Sequence, residues 1–97
     1  MKPSVSLTSR ARVPDGIVFQ SLQDELVLLN LQTGVYFGLN EVGARIWQLI
    51  QAHQSAPLSN VRDALVDEYD VRQDRCTGDL LKLVARLEEN RLLEIDH

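Results

Sequence analysis

Between Glu25 and Trp47 the hydrophobic pattern changes period. Leu26-Val27-Leu28-Leu29 is apolar at every position, as in a strand covered on both faces and therefore central in its sheet. Gln32-Thr33-Gly34 breaks the run with hairpin chemistry, glycine supplying the positive φ such loops need. In the strand that follows, Val35, Phe37 and Leu39 share one face, and Tyr36 and Gly38 the other. Past Asn40 the spacing turns helical: Val42, Ile46, Leu49 and Ile50 form a stripe that Trp47 widens. Asn40 is a good N-cap, and Glu41 complements the dipole of the first turn.

Upstream, Pro14-Asp15-Gly16 is a turn signal, and Ile17–Leu22 has the β-branched and aromatic content of a strand. Gln23-Asp24 is a break of hairpin length. The pattern thus predicts a three-stranded antiparallel meander over 17–22, 25–31 and 35–39, with the last strand an open edge suited to receive a peptide. Residues 1–11 lack a period and are expected to form a flexible N-terminal arm, joining the sheet near Arg12 and Val13, ahead of a single domain over 12–97.

Downstream, the first helix should fade near His53, before the loop Gln54-Ser55-Ala56-Pro57. Ser59 reads as the N-cap of a short helix with Val61, Leu65 and Tyr69 inward, ending near Asp70. Val71 is expected between helices. A third helix over Gln73–Glu89 buries Cys76, Leu80, Leu83, Val84 and Leu87, and sets Lys82 and Arg86 together at i, i+4. Gly78 costs that helix about 1 kcal/mol relative to alanine. Asn90 suits a left-handed C-cap, and Leu92, Leu93 and Ile95 close the core. Three strands followed by three helices make an α+β fold, with the parts of a winged helix-turn-helix and the sheet placed first.

Size and composition fit one domain: 97 residues, 44% hydrophobic and 25% charged. A net charge of −4, from 10 Lys+Arg against 14 Asp+Glu, argues against a phosphate-backbone partner. The lone Cys76 excludes an internal disulfide and a thiolate zinc cluster, and two histidines at 53 and 97 make no metal trio. No glycine-rich phosphate loop is present, and the acids at 67, 68, 70, 88 and 89 read as exposed helix ends. The expectation is a binding domain with no catalytic residue, metal or cofactor. No apolar run approaches the ~20 residues of a membrane span, and Met1–Thr8 lacks the apolar core of a signal peptide, so a cytoplasmic location is expected.

The run from Leu28 to Trp47, LNxxTGxYFGLNExGxxIW in outline, resembles the PqqD-like family, named for coenzyme PQQ synthesis protein D and also called the RiPP recognition element, RiPP denoting a ribosomally made, post-translationally modified peptide. The likeness continues through Leu65–Val71 and Leu87–Leu93 and covers Val13 to Ile95, with Asn90 where many relatives have glycine. The resemblance implies a catalyst-free domain that grips the leader of a precursor peptide, adds it as a strand against the third strand beside the third helix, and delivers it to a modifying enzyme: a protease, a cyclase or a radical enzyme. Standalone members of this size serve lasso-peptide and PQQ biosynthesis.

Strand addition takes affinity from main-chain bonds and specificity from side-chain pockets. The candidate site is Val35, Tyr36, Phe37, Gly38 and Leu39 along the edge and Leu80 and Leu83 as the opposite wall. Arg75, Lys82 and Arg86 would meet leader carboxylates, and Asp79 a hydroxyl or basic group. Plainer roles stand beside these: core packing for Val35, Phe37, Leu39 and Trp47, a solvated face for Lys82 and Arg86, turn geometry for Gly34 and close packing for Gly43. The main rival is a winged-helix DNA-binding regulator using Arg62, Arg72, Gln73 and Arg75, against which stand the interleaved Asp63, Asp67, Glu68, Asp70, Asp74 and Asp79. An adaptor that dimerises through the same edge is a third reading; the expected state is a monomer or weak dimer, with neither nucleic acid nor a membrane span involved.

Overall fold

The computed structural model describes residues 5–70 and 72–97. Its elements in chain order are β1 (Arg10–Arg12), β2 (Ile17–Leu22), β3 (Glu25–Asn30), β4 (Tyr36–Leu39), α1 (Glu41–Ala52), α2 (Leu58–Tyr69), α3 (Gln73–Glu89) and β5 (Glu94–Asp96). The expected antiparallel meander forms in the order β2-β3-β4, with the apolar β3 in the middle. Leu26 pairs with Leu39, and Leu28 sits between Phe19 and Phe37, so all five share one face. On that face Leu26, Leu28 and Leu39 are buried and join Trp47 and Ile50 of α1 in one core with Val61, Leu65, Leu80, Val84 and Leu87. On the opposite sheet face Val18 and Tyr36, the two neighbours of Leu29, are exposed.

β3 ends one residue before the expected boundary because Asn30 folds the turn itself. Its buried Oδ1 accepts from the N–H groups of Gln32 (2.8 Å) and Thr33 (3.1 Å), and its Nδ2 donates to the Arg91 carbonyl at 2.7 Å. One side chain thus shapes the β3–β4 hairpin and ties it to the chain beyond α3. Gly34 takes the expected left-handed conformation, φ 76°.

Several expectations need correction. Arg10–Arg12 does not join the meander; it pairs with Glu94–Asp96 as a separate two-stranded sheet, and the boundary expected between 11 and 12 falls inside β1. The register explains the pairing: Arg10 faces Asp96, Arg12 faces Glu94, and the buried Ala11 faces Ile95. Ser59 does not cap α2, which begins at Leu58 after Pro57. Carbonyls do that work instead, Ser9 accepting from Leu58 N–H and Leu7 from Ser59 N–H. Tyr69 is not a core residue, being 37% exposed at the end of α2. At the end of α3, Asn90 has φ −91° and its side chain donates to the Arg86 carbonyl, while Arg91 takes the left-handed φ of 59°. Val71, expected in the core, lies outside the described residues.

Candidate functional site

The site begins with an unpaired strand edge. β4 bonds to β3 on one side, and no described strand pairs with its other side. The Asn30 N–H donates to the Val35 carbonyl at 3.0 Å. Because bonded and non-bonded pairs alternate in an antiparallel ladder, Phe37 and Leu39 then point their backbone groups at β3, and Tyr36 and Gly38 point theirs outward. The free edge therefore offers two N–H groups and two carbonyls.

Two local contacts set where β4 turns into α1. Asn40 Oδ1 accepts from Gly43 N–H at 2.9 Å, the expected cap. A Cβ on Gly43 would stand 3.2 Å from Leu39 Cδ2 and 3.3 Å from Asn40 Oδ1, so the small residue permits the close corner between strand and helix. α3 supplies the facing wall. Burial of Cys76, Leu80, Val84 and Leu87 fixes its rotation and presents Asp79, Leu83 and Arg86 to the strand. Arg45 of α1 clamps Glu68 of α2 through Nε and Nη2, bracing the helices on which α3 rests. Those hydrogen bonds hold the Glu68 carboxyl below its ordinary value and push the Arg45 guanidinium up.

Between β4, the first turns of α1 and the middle of α3 lies a cleft of about 410 Å³. Phe37, Leu39 and Leu83 line it beside Gly38, Asp79 and Arg86, with the Arg86 guanidinium 5.2 Å from the centre of the Phe37 ring. Six of the eleven residues singled out from the sequence therefore meet around one cleft. The other five do not line it. Leu80 is wholly buried in the core, one helical position too far round α3 to form a wall. Tyr36 is 72% exposed on the opposite face, opposite Leu29. Val35 is half-buried ahead of the strand, Lys82 is exposed beyond the rim, and Arg75 borders an adjoining groove. Sequence reasoning missed the α1 contribution of Val42 and Ile46. Val42 carries the signal, an apolar side chain in a helix's first turn that remains 48% exposed.

Nothing in the cleft suits a metal, and among the described residues no three His, Cys, Asp or Glu side chains gather around a common point. Burial raises the Cys76 thiol above its ordinary pKa, which disfavours the thiolate. No described helix is long and apolar enough to cross a membrane.

The sequence pattern of the family described as Coenzyme PQQ synthesis protein D (PqqD) matches residues 25–93. The chain belongs to the PqqD family. The matched span takes in β3, β4 and all three helices, every element of the cleft. No curated protein matches the chain. Among solved structures it is similar to one described as TbiB1 in complex with the TbiA(beta) leader peptide, at 38% identity and a TM-score of 0.78, covering 86% of this chain and 94% of that one. It is also similar to a lasso peptide synthetase B1 complexed with the leader peptide, at 28% identity and a TM-score of 0.75, covering 88% of this chain and 98% of that one. The resemblance to PqqD-like RiPP recognition elements read from Leu28–Trp47 is thus correct. The DNA-binding reading gains no support from either neighbour.

Proposed function

We propose that this PqqD-family chain binds the leader segment of a ribosomally made precursor peptide and presents it to a separate modifying enzyme, a protease, cyclase or radical enzyme. The leader adds as a strand to the outer edge of β4 and rests alternate side chains in the cleft beside α3. The observation that carries this reading is the adjacency of the two features: an edge with outward N–H and C=O groups at Tyr36 and Gly38 borders a cleft lined by Phe37, Leu39, Leu83 and Arg86. The two structural neighbours, each complexed with a leader peptide, support the choice of ligand. The cations of α3, with Arg86 at the cleft and Lys82 beyond its rim, suit a leader bearing carboxylates.

Gly38→Pro tests the reading without breaking the sheet. The Gly38 N–H points away from β3, so proline removes a donor to the peptide and none to the ladder, a placement edge strands tolerate. Nothing lies within 4 Å of a Cβ built there. Polarisation titration with the leader of its cognate precursor should show affinity at least tenfold weaker, with an unchanged circular dichroism spectrum. Full affinity with an intact fold would remove strand addition from the account.

A further inference from the structure

The meander has a second free edge, along β2. The Leu31 N–H donates to the Gly16 carbonyl at 2.9 Å, so alternation makes Leu29–Val18 and Val27–Gln20 bonded pairs of the β2–β3 ladder. Ile17, Phe19 and Ser21 then point their N–H and C=O groups away from β3, and no described strand pairs with them. α1 packs on β3 and β4, whereas five of the six residues of β2 are exposed. Phe19 is 50% exposed on the face that bears the helices, and Val18 and Leu22 are exposed on the other. Folded proteins guard such an edge with charge, proline, a bulge or brevity. β2 has none of these guards. Ile17–Leu22 is uncharged and free of proline, is as long as β3, and pairs with it without a bulge.

We infer that β2 pairs antiparallel with β2 of a second copy of this chain, so that two meanders form one continuous sheet about a two-fold axis. The strand's own sequence suits self-pairing. With the axis at Phe19, the bonded pairs are Phe19 with the partner's Phe19 and Ile17 with the partner's Ser21, while Val18 lies opposite the partner's Gln20. Every paired position is neutral, so two copies of a chain of net charge −4 meet along a line where no like charges oppose. Each half-exposed Phe19 ring gains an aromatic neighbour. A partner sheet also covers apolar side chains on both faces of β2, whereas the cleft that suits the side chains of a bare peptide lies at β4. Such a contact uses the same patch on both copies and closes at the dimer. One pair of short strands buries less than the ~1,200–2,000 Å² of a standard interface, so the dimer is weak and concentration-dependent. The inference stands on β2 alone and does not rest on the leader-binding reading. It leaves both β4 edges open, at the outer ends of the joined sheet.

Sedimentation equilibrium of the full chain over roughly 1–500 μM tests this, a range that brackets weak affinities. The average mass should rise from 11.0 kDa toward twice that value and level there. Raising salt from ~0.05 to ~0.5 M should strengthen association severalfold, because it screens the repulsion between two acidic copies. Phe19→Lys and Ser21→Pro should each weaken association at least tenfold, with unchanged circular dichroism. The proline acts cleanly because the Ser21 N–H faces the partner and not β3. Gly38→Pro should leave the mass curve as in wild type. An 11.0 kDa species throughout the range, or growth beyond the dimer, would overturn the inference. So would a dimer that survives both β2 variants, or one that Gly38→Pro dissolves, since the contact would then lie elsewhere.

Discussion

The guanidinium of Arg86 lies 5.2 Å from the centre of the Phe37 ring, joining α3 to the edge strand across the mouth of the cleft. The pair has two duties. It bridges strand and helix, and it places a cation where a visiting strand would lie. A double-mutant cycle of Phe37→Ala and Arg86→Ala, read by urea unfolding, should give a coupling of about 0.5–1 kcal/mol, as for an exposed cation–π contact. Additive effects would show that the contact does not stabilise the fold. Arg86→Glu should also weaken leader binding in a salt-dependent way, and by more than Lys82→Glu, since Lys82 lies outside the cleft lining.

Asn30 joins the β3–β4 turn to the loop after α3 by three hydrogen bonds from one buried side chain. Asn30→Ala strands the partners of those bonds and should cost about 1–3 kcal/mol, measured as a lower urea midpoint at unchanged slope. Because the same bonds orient the start of β4, leader affinity should fall in the folded variant too. Wild-type stability would show that the turn holds without the side chain.

The Arg45–Glu68 clamp predicts a pH dependence. Hydrogen bonding to Arg45 lowers the folded-state pKa of Glu68 below 4.5, so its contribution is full above that value and is lost as pH falls through the lowered pKa. The stability difference between wild type and Glu68→Gln should accordingly shrink as pH drops below 4.5, and shrink also in high salt, since both side chains are partly exposed. A difference that does not change from neutral to acid pH would contradict the assignment.

Gly78 occupies an exposed position inside α3, and nothing lies within 4 Å of a Cβ built on it. No close approach explains the glycine within this chain. Gly78→Ala should therefore raise stability by about 1 kcal/mol in thermal or urea unfolding and leave leader affinity unaltered. A destabilised variant would point to a crowding that the fold does not show.

Elements with a strong local period were legible in the sequence. The meander, the Asn40 cap and the bounds of α3 all follow from alternation, a capping residue and an amphipathic stripe, which are properties of neighbouring residues. What escaped depends on partners far along the chain. The β1–β5 pairing matches Arg10–Arg12 with residues more than eighty positions away, and neither segment has a period of its own. The start of α2 is set by carbonyls of Leu7 and Ser9, so Ser59 looked like a cap that tertiary structure had already made unnecessary. In the site, the strand half was readable because Phe37 and Leu39 share a face by simple alternation. The helix half was read one position too deep at Leu80, because periodicity gives a stripe and only packing says which edge of it is covered.

The most direct test of the central claim is amide hydrogen exchange at Tyr36 and Gly38, resolved by NMR in the free chain and with saturating leader. Both N–H groups point away from β3 and should exchange quickly in the free protein, then slow markedly in the complex as the added strand takes them up, while Phe37 changes little. Unchanged exchange at Tyr36 and Gly38 with leader demonstrably bound would contradict strand addition at β4.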